Sequence, residues 1–386
     1  MRNLLPLLAL TFLFSCGESS DSDSKSAEAI DFSYKLDTVK IDSGEDFIHL
    51  NWGLTSSDLS TDEKYFYNFK TGAEKLGLEV IDLENLTLER VIPMSLDGPN
   101  SVRSPYITRV YLLPDDTYYL SDNYEVYHFD QEGNKLSTMS YAKQEFEGEK
   151  PPDDKRIWLD ENLSPDGKTL VALYGGQQMD EPSEGVAIFD LKNKRVSYKA
   201  TELFKERSNY QTTLYYEGVQ PMGASGAASH LALTGDTLVY SISAQNRIHF
   251  YNLQTDSISS KSFTSKYTSL EAKSNYPSRT DSEEEFQEIS KEKSKEVNYG
   301  NFFFDDQNAV YWRFTKEMDR MKGDTTLFKT VLTAFDSDFN QLHEELLPSD
   351  FVLPYKYFAR KGMIYLFLNI EDELAFVRLK PNFKNP

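Results

Sequence analysis

The chain has 386 residues, 41 of them basic and 62 acidic, for a formal charge of −21. A field of that sign repels phosphate backbones and makes nucleic acid a poor partner, while a single cysteine rules out a disulfide framework. Aromatic residues are 13% of the chain, with 25 phenylalanines and 24 tyrosines, a composition suited to strands.

The N-terminus carries Arg2, an almost unbroken apolar run from Leu4 to Phe14, then Ser15 and Cys16, the pattern of a secretory leader. At about 11 residues the run is too short to span a bilayer, which takes roughly 20. "LFSC" at 13–16 resembles the lipobox of bacterial lipoproteins, with Phe14 bulkier than is usual there. The resemblance implies a signal peptide over 1–15 and a Cys16 acylated with palmitate-type chains, each buried methylene adding about 0.8 kcal/mol of membrane affinity. Residues 17–29, "GESSDSDSKSAEA", are too polar to fold, so 16–31 is expected to be a flexible tether. Acidic residues just behind the cysteine resemble the export signal of Bacteroidetes-type surface lipoproteins. That implies an outer-membrane address at the cell surface, with the periplasmic face as the alternative.

From residue 32 onward a repeat governs the chain. "IDLENLTL" (81–88), "FDQEGNKL" (129–136), "FDLKNKRV" (189–196), "YNLQTDSI" (251–258) and "FDSDFNQL" (335–342) each end a strand at Asp or Asn, turn, and restart an alternating strand. Beside each lies a second hairpin, such as "YLLPDDTYYLSD" (111–122) or "NLSPDGKTLVALY" (162–174). Four antiparallel strands recurring every 45–60 residues or so are the signature of a propeller blade. The first unit is looser, with "FIHLNWGL" (47–54), "KYFYNFK" (64–70) and "LEVIDL" (78–83) as its inner strands. The last, through "ELAFVRLKP" (373–381), lacks a fourth strand, and "FSYKLDTVKI" (32–41) is free to supply it. The expectation is all-β: a six-bladed β-propeller over 32–386, closed by its N-terminal strand, with one helical insert near 281–297. Its helix is expected to lie over the propeller, with Asp281 and Glu284 at capping-box spacing. A pair of β-sandwiches is the competing architecture.

The "SPDGKTLVALY" turn and the six-unit plan resemble the TolB-like six-bladed propellers. With the lipobox and the ending "YFARKGMIYLFLNIEDELAFVRLKPNF", the chain resembles a Bacteroidetes lipoprotein family known as domain of unknown function 4221. The motifs that carry this are structural turns, so the resemblance implies a fold and an address and no catalytic residue.

In such a fold the long loops entering each innermost strand form one face, and binding usually resides on long loops held by a rigid scaffold. Here they are 95–106, 141–158, 202–230 and 263–300. Arg103, Tyr106, Arg156, Trp158, Tyr215, Tyr216, His230 and Tyr355 lie in or beside these loops, and aromatics with arginine suit a sugar, peptide or carboxylate. Catalytic signals are weak: "GASGAAS" (223–229) lacks nucleophile-elbow spacing, the five histidines are scattered, and Asp336, Asp338 and Asn340 read as turn chemistry rather than a calcium loop. No metal and no cofactor is expected. The function expected is binding of a small molecule, glycan or protein, without catalysis. The alternatives are an exported hydrolase or lyase at the channel mouth and a structural component of an envelope complex.

Overall fold

Each blade is built from alternating strands whose turns are locked by the aspartates that punctuate the repeat. Asp82 Oδ1 accepts the backbone N–H groups of Glu84 and Asn85 at 2.7 and 2.8 Å. Asp130 takes those of Glu132 and Asn134, and Asp336 takes those of Asp338 and Asn340. These carboxylates satisfy the backbone donors a tight turn would otherwise orphan, so the alternating acids at 336–340 serve the turn, as expected.

The computed structural model describes residues 31–122, 124–140, 146–150, 152 and 154–384; the leader, Cys16 and the tether before residue 31 lie outside it. Blade 1 comprises Ser57–Leu59, Tyr65–Phe69, Gly77–Asp82 and Thr87–Pro93. Blade 2 runs from Arg109–Leu112 to Lys135–Ser140, blade 3 from Arg156–Leu163 to Arg195–Ala200, and blade 4 from Ser229–Thr234 to Ser257–Ser262. Blade 5 spans Phe303–Asp305 to Gln341–Leu346. Blade 6 joins Tyr357–Arg360, Met363–Ile370 and Glu373–Lys384 to the strand Asp31–Lys40 from the other end of the chain. That last pairing is antiparallel, Asp31 opposite Lys384 through to Lys40 opposite Ala375. Asp37 clasps Arg378 across it with two hydrogen bonds of 2.7 and 2.6 Å.

The apolar cores run between blades. Phe69, Leu78 and Val80 of blade 1 pack on Val110, Tyr118 and Leu120 of blade 2; comparable clusters join blades 2 and 3, 3 and 4, 4 and 5, and 5 and 6. The sixth joins blade 6 back to blade 1 through Phe358, Tyr365 and Phe376 against Phe66 and Ile81. Each sheet therefore buries both faces against its neighbours, and the ring has no open end.

Several local expectations are corrected. Residues 47–54 form a loop ending in a 3-10 turn, Asn51–Leu54, and the inner strand of blade 1 is Ser57–Leu59. Trp52 and Gly53 break the alternation by taking left-handed backbone angles. A seventh sheet exists outside the six blades. Thr212–Tyr216 and Gln220–Ser225 form a hairpin joined in parallel by Arg279–Thr280, so segments that read as loops by their small and polar residues are paired by backbone. The helix α1, Glu283–Lys293, lies against this small sheet, where Lys293 Nζ donates to Tyr210 O, Thr212 Oγ1 and Ser225 O at 2.8, 2.7 and 3.2 Å. Its cap is Ser282, whose Oγ accepts from Glu285 N, one residue later than the expected pair. Glu147–Gly148 adds a parallel edge strand to blade 3. Among the described residues no helix is long and apolar enough to cross a membrane.

Candidate functional site

The loops that enter the inner strands of blades 6, 1 and 2 bring three rings to one rim. Tyr355, Trp52 and Tyr106 are 86%, 63% and 56% exposed, and it is apolar surface gathered in one patch, not rings scattered singly, that marks an interaction site. Two glycines let them approach. A Cβ on Gly53 would stand 3.1 Å from both Cβ and Cδ2 of Tyr355, and a Cβ on Gly72 would stand 3.1 Å from Cε1 of Tyr106 and 3.8 Å from Nε1 of Trp52. A side chain at Gly53 would crowd Tyr355, and one at Gly72 would crowd Tyr106, in addition to the strain of their left-handed backbones.

The support beneath the rim is specific. Ser56 Oγ and Thr71 Oγ1 both donate to Ile107 O, at 2.6 and 3.1 Å, which ties the blade 1 loops to the segment carrying Tyr106. Trp52, Gly53 and Leu54 stand at φ 60°, 58° and 61° in succession, and a left-handed conformation costs a residue with a Cβ about 1–2 kcal/mol. Such strain persists only where surrounding contacts hold it, and it gathers at sites of function.

Inside the rim the channel wall is charged. Lys356, next to Tyr355, donates from Nζ to Ser57 O at 2.7 Å, and Asp58 accepts the N–H of Leu112 at 2.9 Å and of Leu59 at 2.9 Å. Both are half-buried. Burial pushes the Asp58 carboxyl up, with the Lys356 charge acting against it. Burial also brings Lys356 down to about 8, helped by Arg109 and opposed by Asp58. On the inner strand of blade 3 Asp160 meets Arg207 at 3.5 Å, and on that of blade 4 His230 Nε2 lies 3.1 Å from Tyr299 O; burial holds this imidazole below its ordinary value.

Of the residues singled out from sequence, Tyr106 and Tyr355 are brought to either side of the Trp52–Gly53 step and Gly72, and His230 sits on the inner strand of blade 4. The others stand in separate settings. Arg103 covers the Tyr124 ring at 4.5 Å and Arg156 covers Trp158 at 3.5 Å. Tyr215 is 9% exposed on the seventh sheet, held by Arg279 at 3.7 Å from its ring and by a hydroxyl bond to Asp180, whereas its neighbour Tyr216 is exposed. Sequence reasoning missed Trp52, Asp58, Arg109 and Lys356. The Trp-Gly step in "NWGL" signals a turn, and reading it as alternation hid an exposed ring. The three charged residues carry no local signal, because packing between blades, and for Lys356 the closure of the ring, makes them neighbours. Among the described residues no group of three or more His, Cys, Asp or Glu side chains could hold a metal ion.

Comparison with known proteins settles the lineage: the model of the domain of unknown function DUF4221 matches residues 29–346. The chain belongs to the DUF4221 family. A crystal structure of a family member from Bacteroides vulgatus is similar over 93% of this chain and all of its own, with a TM-score of 0.67 at 13% identity. That likeness supports the fold and nothing about ligands. Weaker similarities include Kuenenia stuttgartiensis hydrazine synthase (TM-score 0.44, 11% identity, 81% of this chain and 73% of that one). Another is the WD40 domain of Toxoplasma gondii coronin (TM-score 0.39, 9% identity, 92% and 76%). A comparison with curated proteins finds no match.

Proposed function

We propose that this DUF4221 propeller is a binding protein that takes a glycan at the rim of its channel, held on a membrane by an acylated Cys16. The observation that carries the first part is the row Tyr355, Trp52 and Tyr106, three exposed rings from three blades fixed at glycine-spaced contact. Sugars offer apolar C–H faces that stack on such rings and hydroxyls that hydrogen-bond to nearby charged groups, a role open to Arg109, Asp58 and Lys356. Titration calorimetry against a panel of oligosaccharides tests it. Wild-type protein should bind at least one glycan class, and Trp52→Ala should weaken that binding at least tenfold; equal affinity in the variant rejects the rim.

The second part rests on the "LFSC" leader and the acidic stretch behind it. Metabolic labelling with palmitate in a Bacteroidetes host should mark wild-type protein and leave Cys16→Ser unlabelled. Digestion of intact cells by added protease would separate surface display from retention on the periplasmic side.

A further inference from the structure

Next to the aromatic rim, on the same face, lies a pocket of about 440 Å³ between the first blade and the 369–372 turn of blade 6. It adjoins the rim covalently: lining residues Asn51 and Ala73 are the immediate chain neighbours of Trp52 and Gly72. Its charged lining is Lys70, Lys75 and Asp372, with His49 beside them. Neither lysine takes part in an ion pair among the described residues. Other cations on this acidic chain are held by carboxylates, as Lys64 is by Asp82, Lys155 by Glu184 and Lys361 by Glu84. Two ammonium groups outside any ion pair thus line one concavity, in a chain whose overall field repels anions.

The wall is also preorganised. Glu79 is fully buried and accepts the backbone N–H of His49 at 2.9 Å and the Nδ2 of Asn68 at 2.7 Å; Asn68 Nδ2 also donates to His49 O at 2.8 Å. His49 Nε2 in turn lies 3.0 Å from Thr71 O. The segment carrying the pocket is therefore fixed to the strand floor of blade 1, while Phe47, 78% exposed, stands at its edge. Asn369 uses Oδ1 to accept Asp372 N, which leaves its Nδ2 as a donor.

We infer that this pocket is an anion subsite, in which Lys70 and Lys75 receive the carboxylate or sulfate of an acidic sugar whose neighbouring residues stack on the rim. Phe47 offers a face for the ring of that sugar. The inference rests on the glycan reading above and narrows it to acidic glycans, the carboxylate and sulfate forms sharing one chemistry.

The test uses oligosaccharide sets matched in backbone and differing only in charge: neutral, uronate-bearing and sulfated. Wild-type protein should bind one acidic form at least tenfold more tightly than its neutral counterpart, with the preference falling as salt rises. The double variant Lys70→Gln, Lys75→Gln should lose the preference and keep its affinity for the neutral form. The uronate and sulfated sets show which group is the natural one. Equal affinity for neutral and acidic forms in wild-type protein, or a preference that survives the double variant, overturns the subsite. Glucuronate alone, followed by amide chemical shifts, separates this failure from failure of the rim. Shifts confined to residues 47–51 and 70–75 and abolished in the double variant uphold the pocket even if no oligosaccharide touches Trp52. Their absence refutes the pocket even if neutral glycans bind at Trp52.

Discussion

Trp52 is a residue at which the proposed binding and the stability of the fold can be separated. Its ring is largely in water and its backbone is left-handed at φ 60°, so its side chain contributes little burial while its Cβ adds strain. Trp52→Gly should leave the urea midpoint unchanged or higher, by up to about 1 kcal/mol, while abolishing glycan binding; a destabilised variant would mean the ring is structural. Arg313 is the opposite case. It is 2% exposed, bonds through Nη2 to Asn246, and lies among the rings of Phe263, Tyr299, Phe302 and Phe335 at 4.7–5.3 Å. Burial brings its guanidinium down to about 10, and Nε and Nη1 have no protein partner. A cation so enclosed is costly to desolvate and costly to delete. Arg313→Ala should lose about 3–5 kcal/mol through the void it leaves, and Arg313→Met less than half of that, read from denaturation midpoints. Neither residue was legible in the sequence, since exposure and enclosure are set by chain segments far apart in number.

At the scale of elements, legibility followed the range of the signal. The Asp-anchored turns were readable because a carboxylate and the N–H groups it accepts lie within four residues, as at Asp82, Asp130 and Asp336. The helix α1 was readable from its apolar spacing and acidic first turn, though its cap and its resting place were not, because the seventh sheet beneath it joins the Thr212–Tyr216 strand to Arg279–Thr280, distant in chain order. This accessory unit carries its own pH signature. Lys293 donates to three neutral oxygens and meets no anion there, and burial lowers it to about 8. Its unfolded counterpart titrates near 10.4. Between those values the unfolded chain binds more protons, so stability rises with pH across that window and the gain is lost as pH falls through about 8. Lys293→Met should flatten the rise in the denaturation midpoint between pH 8 and 10; an unchanged slope would place the ammonium in water. Ser282→Ala should cost about 1 kcal/mol, seen as faster amide exchange confined to α1.

For the whole molecule, closure was the most legible property and the site the least. A missing fourth strand at one end and a spare alternating strand at the other specify a partner without any distance information, and the register from Asp31–Lys384 to Lys40–Ala375 fulfils it. The mouth is a product of that closure. Lys356 enters on blade 6 and reaches Ser57 of blade 1, and Tyr355 reaches Gly53; both contacts cross the seam that the terminal strand holds shut. The proposed binding face therefore stands or falls with the ring.

Paired cysteines at the seam test it most directly. Asp37 and Arg378 face each other as register partners, within the Cα separation a disulfide accepts. In a chain with Cys16→Ser, D37C and R378C should oxidise spontaneously to an intramolecular bond and stabilise the fold by about 2–4 kcal/mol, with glycan affinity retained. Thiols that stay free under oxidising conditions, or pair only between molecules, would contradict the closed ring.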